Sequence, residues 1–283
     1  MLAANIFGMK QRPVGASYPQ WSFDITTFSM GTTMELPGTT MTAMRGIAFS
    51  DDGSYFFGLD STDNKLYRYD LSTPYDITTG PTTPSQTHTP GNDADYGTSF
   101  TVGLTFSADG HYSIISNSAG SLGIWHYATA WDIRSDGGNR TYMGKFGTGL
   151  SSNLYGNAIN PDGNRLYYVD LFNDELYQVD LSTPYDPTTA GTPSSPVSMA
   201  NDPRMLSFSP DGLTFITNNR GNDVIRQYTM STAWDVTTAT YDSNFNYSAN
   251  VAESRGSCFR QDGSVLYIAS IADEVLPITQ TPA

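Results

Sequence analysis

The chain is poor in cysteine, histidine, basic charge and long apolar runs, and each shortage removes a class of protein. A single cysteine, Cys258, in 283 residues leaves no partner for an intramolecular disulfide, so a disulfide-stapled scaffold is excluded. The histidines are His88, His111 and His126; they fall at different strand phases, with His111 and His126 at opposite ends of a hairpin, and make no HxH or HExxH spacing, so no metal site is assigned. Only 14 Lys and Arg oppose 28 Asp and Glu, a formal net charge of −14. Such a field repels polyanions, which excludes general nucleic-acid binding and disfavours acidic lipid surfaces. No run of 18 apolar residues exists, so no membrane insertion is expected. The opening "MLAANIFGMKQRPVG" lacks a basic stretch followed by a long apolar core and does not read as a signal peptide. A Gly-x-Ser-x-Gly elbow, a P-loop and a dinucleotide fingerprint are absent, so neither a cofactor nor a catalytic residue is assigned. Sustained i, i+3, i+4, i+7 apolar spacing is also missing, which argues against helices.

What the chain has is aromatics, turns and repetition. There are 18 Tyr and 14 Phe among 26 Gly and 16 Pro, a composition that suits strands and tight turns. One phrase occurs five times: "IAFSDDGSYFFG", "LTFSADGHYSII", "NAINPDGNRLYY", "LSFSPDGLTFIT" and "SCFRQDGSVLYI". Its glycines are Gly53, Gly110, Gly163, Gly212 and Gly263, spaced by 57, 53, 49 and 51 residues. A second phrase also recurs: "WSFDITTFS", "STPYDITTG", "ATAWDIRSD", "STPYDPTTA" and "STAWDVTTA". Each unit reads as a short apolar strand, an Asp-Gly turn, a second apolar strand, a polar turn, a third strand such as "LYRYDLS", the aromatic-Asp corner, and a weaker fourth strand. Four antiparallel strands in about 50 residues is a propeller blade. The last unit contains only three strands, ending "EVLPITQTPA", while "SFDITT" and "TTMEL" near the N-terminus supply the missing corner and strand. The expected fold is therefore all-β: a five-bladed β-propeller with four antiparallel strands per blade, residues 21–283, its N-terminal strand closing the last blade. Residues 1–20 form an arm outside the ring.

The "FSxDG" unit followed by "YDLSTPYD" resembles bacterial β-propellers of the YVTN and lactonase-like type. The "YDLSTPxD" form is also similar to repeats in structural proteins of marine bacteria and their phages. The resemblance spans residues 21–283 and speaks to fold more than to function. "YVDL" itself occurs only at Tyr168–Leu171, and the Trp-Asp pairs belong to the corner phrase rather than to a WD40 pattern.

Candidate functional residues divide by symmetry. The corner aspartates Asp24, Asp76, Asp132, Asp186 and Asp235 and the turn aspartates Asp52, Asp109, Asp162, Asp211 and Asp262 recur in every blade, which points to turn chemistry. The corner aromatics Phe23, Tyr75, Trp131, Tyr185 and Trp234 could alternatively stack on sugar rings in a five-fold lectin. Asymmetric residues are better candidates for a unique site. Arg45, Arg204 and Arg255 each stand just before a first strand, at the channel mouth, where blades two and three have Val102 and Tyr155. Three guanidinium groups there suit a carboxylate or sulfate, or else neutralise the acidic turns of Asp63, Asp174, Glu175, Asp223, Asp273 and Glu274. "GNDADYG" (Gly91–Gly97) is a short acidic loop without the long alternating pattern of a Ca²⁺ site. Cys258 lies mid-strand, where burial is expected. In the arm, Leu2, Ile6, Phe7 and Met9 are apolar beside Lys10 and Arg12, a composition for docking onto a partner.

The reading that follows is a non-enzymatic virion structural or adhesion protein of a phage, on a tail fibre, collar or capsid. Its partners would be other virion or assembly proteins through the arm, and a host surface glycan or protein. The alternatives are a lactonase-like or glycoside-acting hydrolase with carboxylates at the mouth, and a secreted glycan-binding lectin.

Overall fold

The second strands read as near-continuous apolar runs because both of their faces are buried. In Tyr55–Asp60, Phe56 faces the seam with the preceding blade and Phe57 the seam with the next. The same alternation recurs in Tyr112–Asn117, where Ile115 and Ile114 enter opposite seams. The computed structural model describes residues 24–38, 41–93, 95–135, 138–147, 153–199, 202–247 and 253–280. The expected arm, with Leu2, Ile6, Phe7 and Met9, and the corner residues Trp21 and Phe23 lie outside the described residues.

Five antiparallel sheets follow one another along the chain. Blade 1 contains Met44–Phe49, Tyr55–Asp60, Lys65–Asp70 and Gln86–His88. Blade 2 contains Thr101–Phe106, Tyr112–Asn117, Leu122–Tyr127 and Arg140–Phe146. Blade 3 contains Leu154–Ile159, Arg165–Asp170, Glu175–Asp180 and Val197–Ser198. Blade 4 contains Ser207–Phe208, Thr214–Asn219, Val224–Met230 and Ala239–Asn246. Blade 5 contains Ser254–Phe259, Val265–Ser270 and Glu274–Gln280, and its outer strand comes from the other end of the chain. Phe28–Met30 pairs with Glu274–Gln280 in the register Phe28 to Gln280, and Met34–Glu35 continues along the same edge. The interruption falls beside Pro277, which has no N–H to give; its carbonyl accepts from the Gly31 N–H at 2.9 Å. This is the expected five-bladed propeller with a composite last blade. The fourth strand of blade 4 begins five residues before the "NFNYSAN" stretch, at Ala239.

The core is five clusters rather than one, and each joins two neighbouring blades. Ile216 and Ile225 of blade 4 meet Leu266 and Ile278 of blade 5, and Phe56 of blade 1 meets Ala269 and Val275 of blade 5. The other three seams join blades 1–2, 2–3 and 3–4. With a seam on both sides of every blade the ring has no open end. Glutamines add a polar tie between blades. Gln86, Gln178 and Gln227 each accept the first corner N–H of the following blade, from Ile133, Val236 and Ile25, at 2.9–3.0 Å.

Candidate functional site at the channel mouth

The two repeated phrases are the halves of one clasp. Tyr75, Trp131, Tyr185 and Trp234 all have positive φ, 58–64°, and their N–H groups donate to the carbonyls of Gly53, Gly110, Gly163 and Gly212 at 2.8–2.9 Å. Each ring lies so close over its glycine that an added methyl group would overlap it. These glycines also have φ of 69–73°, so Gly serves both the turn and the ring. The corner aspartate then caps a single 3₁₀ turn. Asp24, Asp76, Asp186 and Asp235 each accept from the N–H of the residue two ahead at 2.9–3.1 Å and from its threonine hydroxyl at 2.6 Å. Asp132 lacks that threonine and takes Arg134 instead, at 2.6 Å, which together with the N–H bond holds its carboxyl below the usual range. The turn aspartates Asp52, Asp109, Asp211 and Asp262 likewise accept bonds within their own hairpins.

Little of the aromatic set is left to stack on a sugar. One face of each ring is against its glycine; the other face of Tyr185 stacks on Tyr112 at 4.0 Å, and Arg260 sits 4.5 Å over Tyr75. Phe106 and Phe208 crowd Trp131 and Trp234 at 5.3 Å.

At the axis the inner strands come very close. Gly46, Gly103, Gly156 and Gly256 occupy equivalent positions, and a Cβ on Gly156 would lie 2.7 Å from the Leu206 nitrogen. On Gly103 it would overlap the Tyr155 carbonyl oxygen. Blade 4 has Met205 at this position, buried in the blade 4–5 seam. The resulting pocket on the axis is lined by Arg45, Arg204, Arg255 and Asn157, and its enclosed space suits about one water molecule. A sugar or lactone ring does not enter it.

Arg45 and Arg255 lie within the inner strands Met44–Phe49 and Ser254–Phe259, not ahead of them; Arg204 precedes Ser207–Phe208. The strand register slips by one residue at Arg45, Val102 and Arg255, a β-bulge that re-aims the side chain at the mouth. Their partners are not the acidic second-to-third turns. Asp202 accepts from Arg204 at 2.7 Å and Arg220 at 3.1 Å, and Glu253 from Arg220 at 2.8 Å and Arg255 at 2.5 Å. The chain Arg204–Asp202–Arg220–Glu253–Arg255 thus runs along the mouth. Arg204 also lies 4.7 Å over the Tyr155 ring. Arg45 makes no ion pair among the described residues; its Nε donates to the Ser61 hydroxyl at 2.5 Å. Burial, and then the charges of Arg204, Arg220 and Arg45, lower the Arg255 pKa. The arginines lower the Glu253 carboxyl.

Three of the acidic turn residues are held by other groups, and Asp273 accepts from the Met44 N–H at 3.4 Å. Asp63 pairs with Lys65 at 3.1 Å, Asp174 accepts from the Asp202 N–H at 2.9 Å, and Glu175 from the Tyr177 hydroxyl at 2.5 Å. Sequence reasoning missed Arg220, Asp202 and Glu253. Arg220 begins a second-to-third turn, and Asp202 and Glu253 each lie two residues before Arg204 and Arg255 with a positive φ of 57° and 53°, a local backbone bend that no sequence spacing announces.

The other candidates resolve into structure. His111 and His126 are cross-hairpin neighbours with ring centroids 6.2 Å apart, because Tyr112 pairs with His126; they are not at opposite ends. In the Gly91–Gly97 stretch Asp93 ties two blades together rather than serving a cation: it accepts from His88 at 3.1 Å and Trp125 at 2.8 Å, with Arg140 at 3.6 Å. Cys258 is partly buried against the blade 5–1 seam, and burial pushes its thiol up. Among the described residues no group of three or more His, Cys, Asp or Glu is placed to hold a metal ion, and no helix is long and apolar enough to cross a membrane.

No family model and no curated protein matches the chain. Among solved structures it is similar to a functionally unknown protein from Desulfotomaculum acetoxidans, at 15% identity and a TM-score of 0.51, over 83% of this chain and 68% of that one. It is also similar to a candidate 6-phosphogluconolactonase from Bacteroides fragilis, at 17% identity and a TM-score of 0.51, over 81% of this chain. It spans 60% of that protein's length. At such identities the likeness shows the fold alone.

Proposed function

We propose that the chain is a non-enzymatic structural or adhesive propeller of a phage particle, and that it makes contact through the mouth face. The observation that carries the contact reading is the pair of apolar rings on that face. Phe172, in the second-to-third turn of blade 3, is 76% exposed, and Phe100, leading into the inner strand of blade 2, is 59% exposed. Exposed aromatic rings on a rim are typical anchors for a protein or glycan partner. The rim is polarised: blades 4, 5 and 1 carry the arginines, blades 2 and 3 the phenylalanines. The particle assignment rests on the resemblance of the "YDLSTPxD" phrase, and residues 1–20 would tether the ring to other particle proteins. The hydrolase reading is weaker, because Asp174 and Glu175 are each committed to a neighbour and the axis has no room for a ring.

The test is binding of the purified full-length chain to a glycan array, to host cells and to purified particles, beside an assay on lactones and glycosides. Affinity for particles or host surface without turnover is expected. A monomer with no such affinity would sink the proposal. Turnover lost on neutralising Asp174 and Glu175 would favour the hydrolase instead.

A further inference from the structure

Four guanidinium groups, Arg45, Arg204, Arg220 and Arg255, share the mouth with two paired carboxylates, those of Asp202 and Glu253. Among the ion-paired groups here the guanidiniums outnumber the carboxylates; Asp174 and Asp273 stand beside them but accept from the backbone N–H groups of Asp202 and Met44, in a chain whose net charge is −14. Like charges brought together under partial burial are costly unless an anion is meant to sit among them. Two donors point the same way. The Nε groups of Arg220 and Arg255 are buried and have no hydrogen-bond partner. Arg45 is the third sign. At the position two residues earlier, where Arg204 and Arg255 have Asp202 and Glu253, it has Ala43. The bulges at Arg45 and Arg255 turn these side chains toward the axial pocket, which is too small for a sugar ring but open at its mouth.

We propose that the channel mouth is a binding site for a compact sulfate- or phosphate-class oxyanion, held by Arg45, Arg204 and Arg255 and braced by Arg220 through Asp202 and Glu253. Planar guanidinium forks match the oxygens of such an anion. The site deepens the reading of the mouth as the contact face, yet its test uses small anions alone, so it fails or succeeds apart from adhesion.

The experiment is calorimetric titration of the full-length chain with phosphate, sulfate and glucose 6-phosphate, with ionic strength held constant by sodium chloride, alongside thermal unfolding. Saturable binding is expected, weakened roughly tenfold or more in Arg45→Gln. Unliganded Arg45→Gln should unfold no earlier than the parent, because it removes one of the mutually repelling cations. Equal affinity for phosphate and glucose 6-phosphate would identify the free ion as the ligand; tighter binding of the ester would identify a headgroup of a larger ligand. Both support the site. Should Arg45→Gln fail to fold, Arg204→Gln and the parent's own response to phosphate against chloride carry the same test. No saturable response to any of the three anions overturns the proposal.

Discussion

Acidification below pH 6.5 should loosen the seam between blades 1 and 2 through one residue, His88. Its side chain is wholly buried, and Nε2 donates to Asp93 at 3.1 Å. The same carboxylate oxygen accepts from the Trp125 indole at 2.8 Å and faces Arg140 at 3.6 Å. Nδ1 has no partner, so a second proton there would be buried without a hydrogen bond. Burial pushes the His88 pKa down to about 4, with Arg140 adding to the effect and Asp93 opposing it. An unfolded histidine titrates near 6.5. The folded value lies below the unfolded one, so between these limits the unfolded chain binds the extra proton. The stabilisation is complete above about pH 6.5 and shrinks as pH falls toward 4. Linkage gives a loss of roughly 1–2 kcal/mol by pH 5.5 and roughly 3 kcal/mol by pH 4. Asp93, whose own pKa is lowered by its hydrogen bonds despite burial, adds a loss of the same sign only at lower pH. Urea unfolding followed by tryptophan fluorescence at pH 7.5, 6.5 and 5.5, with the parent compared to His88→Gln, isolates this histidine, because ordinary carboxylates do not titrate there and His111 and His126 are common to both proteins. His88→Gln should be less stable than the parent at pH 7.5 and show a flatter pH dependence. Parallel pH dependences in parent and variant would refute the reasoning.

The other predictions concern the axis, the clasp and the rim. Gly103→Ala drives a methyl group into the Tyr155 carbonyl and should cost roughly 1–3 kcal/mol in chemical unfolding; an unchanged midpoint would mean that the inner strands can move apart. Asp76→Ala removes the cap on one corner turn and should cost about 1 kcal/mol, with phosphate titration at the mouth unaffected. Phe100→Ser and Phe172→Ser should change stability by less than about 0.5 kcal/mol, since both rings stand in solvent, and should weaken attachment to particles or host surface. Attachment equal to the parent's would move the contact surface away from the mouth.

Repetition made the ring legible in the sequence. Five Asp-Gly turns and five aromatic-Asp corners predict five blades, and the split unit predicts where the ends meet, because a feature needed in every blade is written five times. The reason the two phrases travel together was not legible. It is a contact between residues 21 or 22 apart, Tyr75 on Gly53 for example, and it depends on a positive φ at an aromatic residue that no composition rule favours. His88 and Asp93 were equally hidden. They occur once, and their partners Trp125 and Arg140 come from the next blade, so only the seam brings them together.

The mouth shows how asymmetry is written over a repeated frame. One bulge per inner strand projects the residue at positions 45, 102, 155 and 255, with 204 at the matching place in blade 4. Two residues earlier the frame carries Ala43, Phe100, Asn153, Asp202 and Glu253. These ten side chains lie outside the clasps, caps and seam clusters, although Val102 and Tyr155 are buried. The five blades therefore carry different residues at these places, and the differences are uneven. Charge gathers on blades 4, 5 and 1, and exposed aromatic area on blades 2 and 3. A surface divided in this way complements a ligand that is anionic at one end and apolar or sugar-faced at the other. Combining Arg45→Gln with Phe172→Ser should then lose more than either alone against an acidic glycan or an acidic, aromatic-binding protein surface, while against inorganic phosphate the double variant should match Arg45→Gln. A phosphate affinity that also fell with Phe172→Ser would show that the two sectors are not separate.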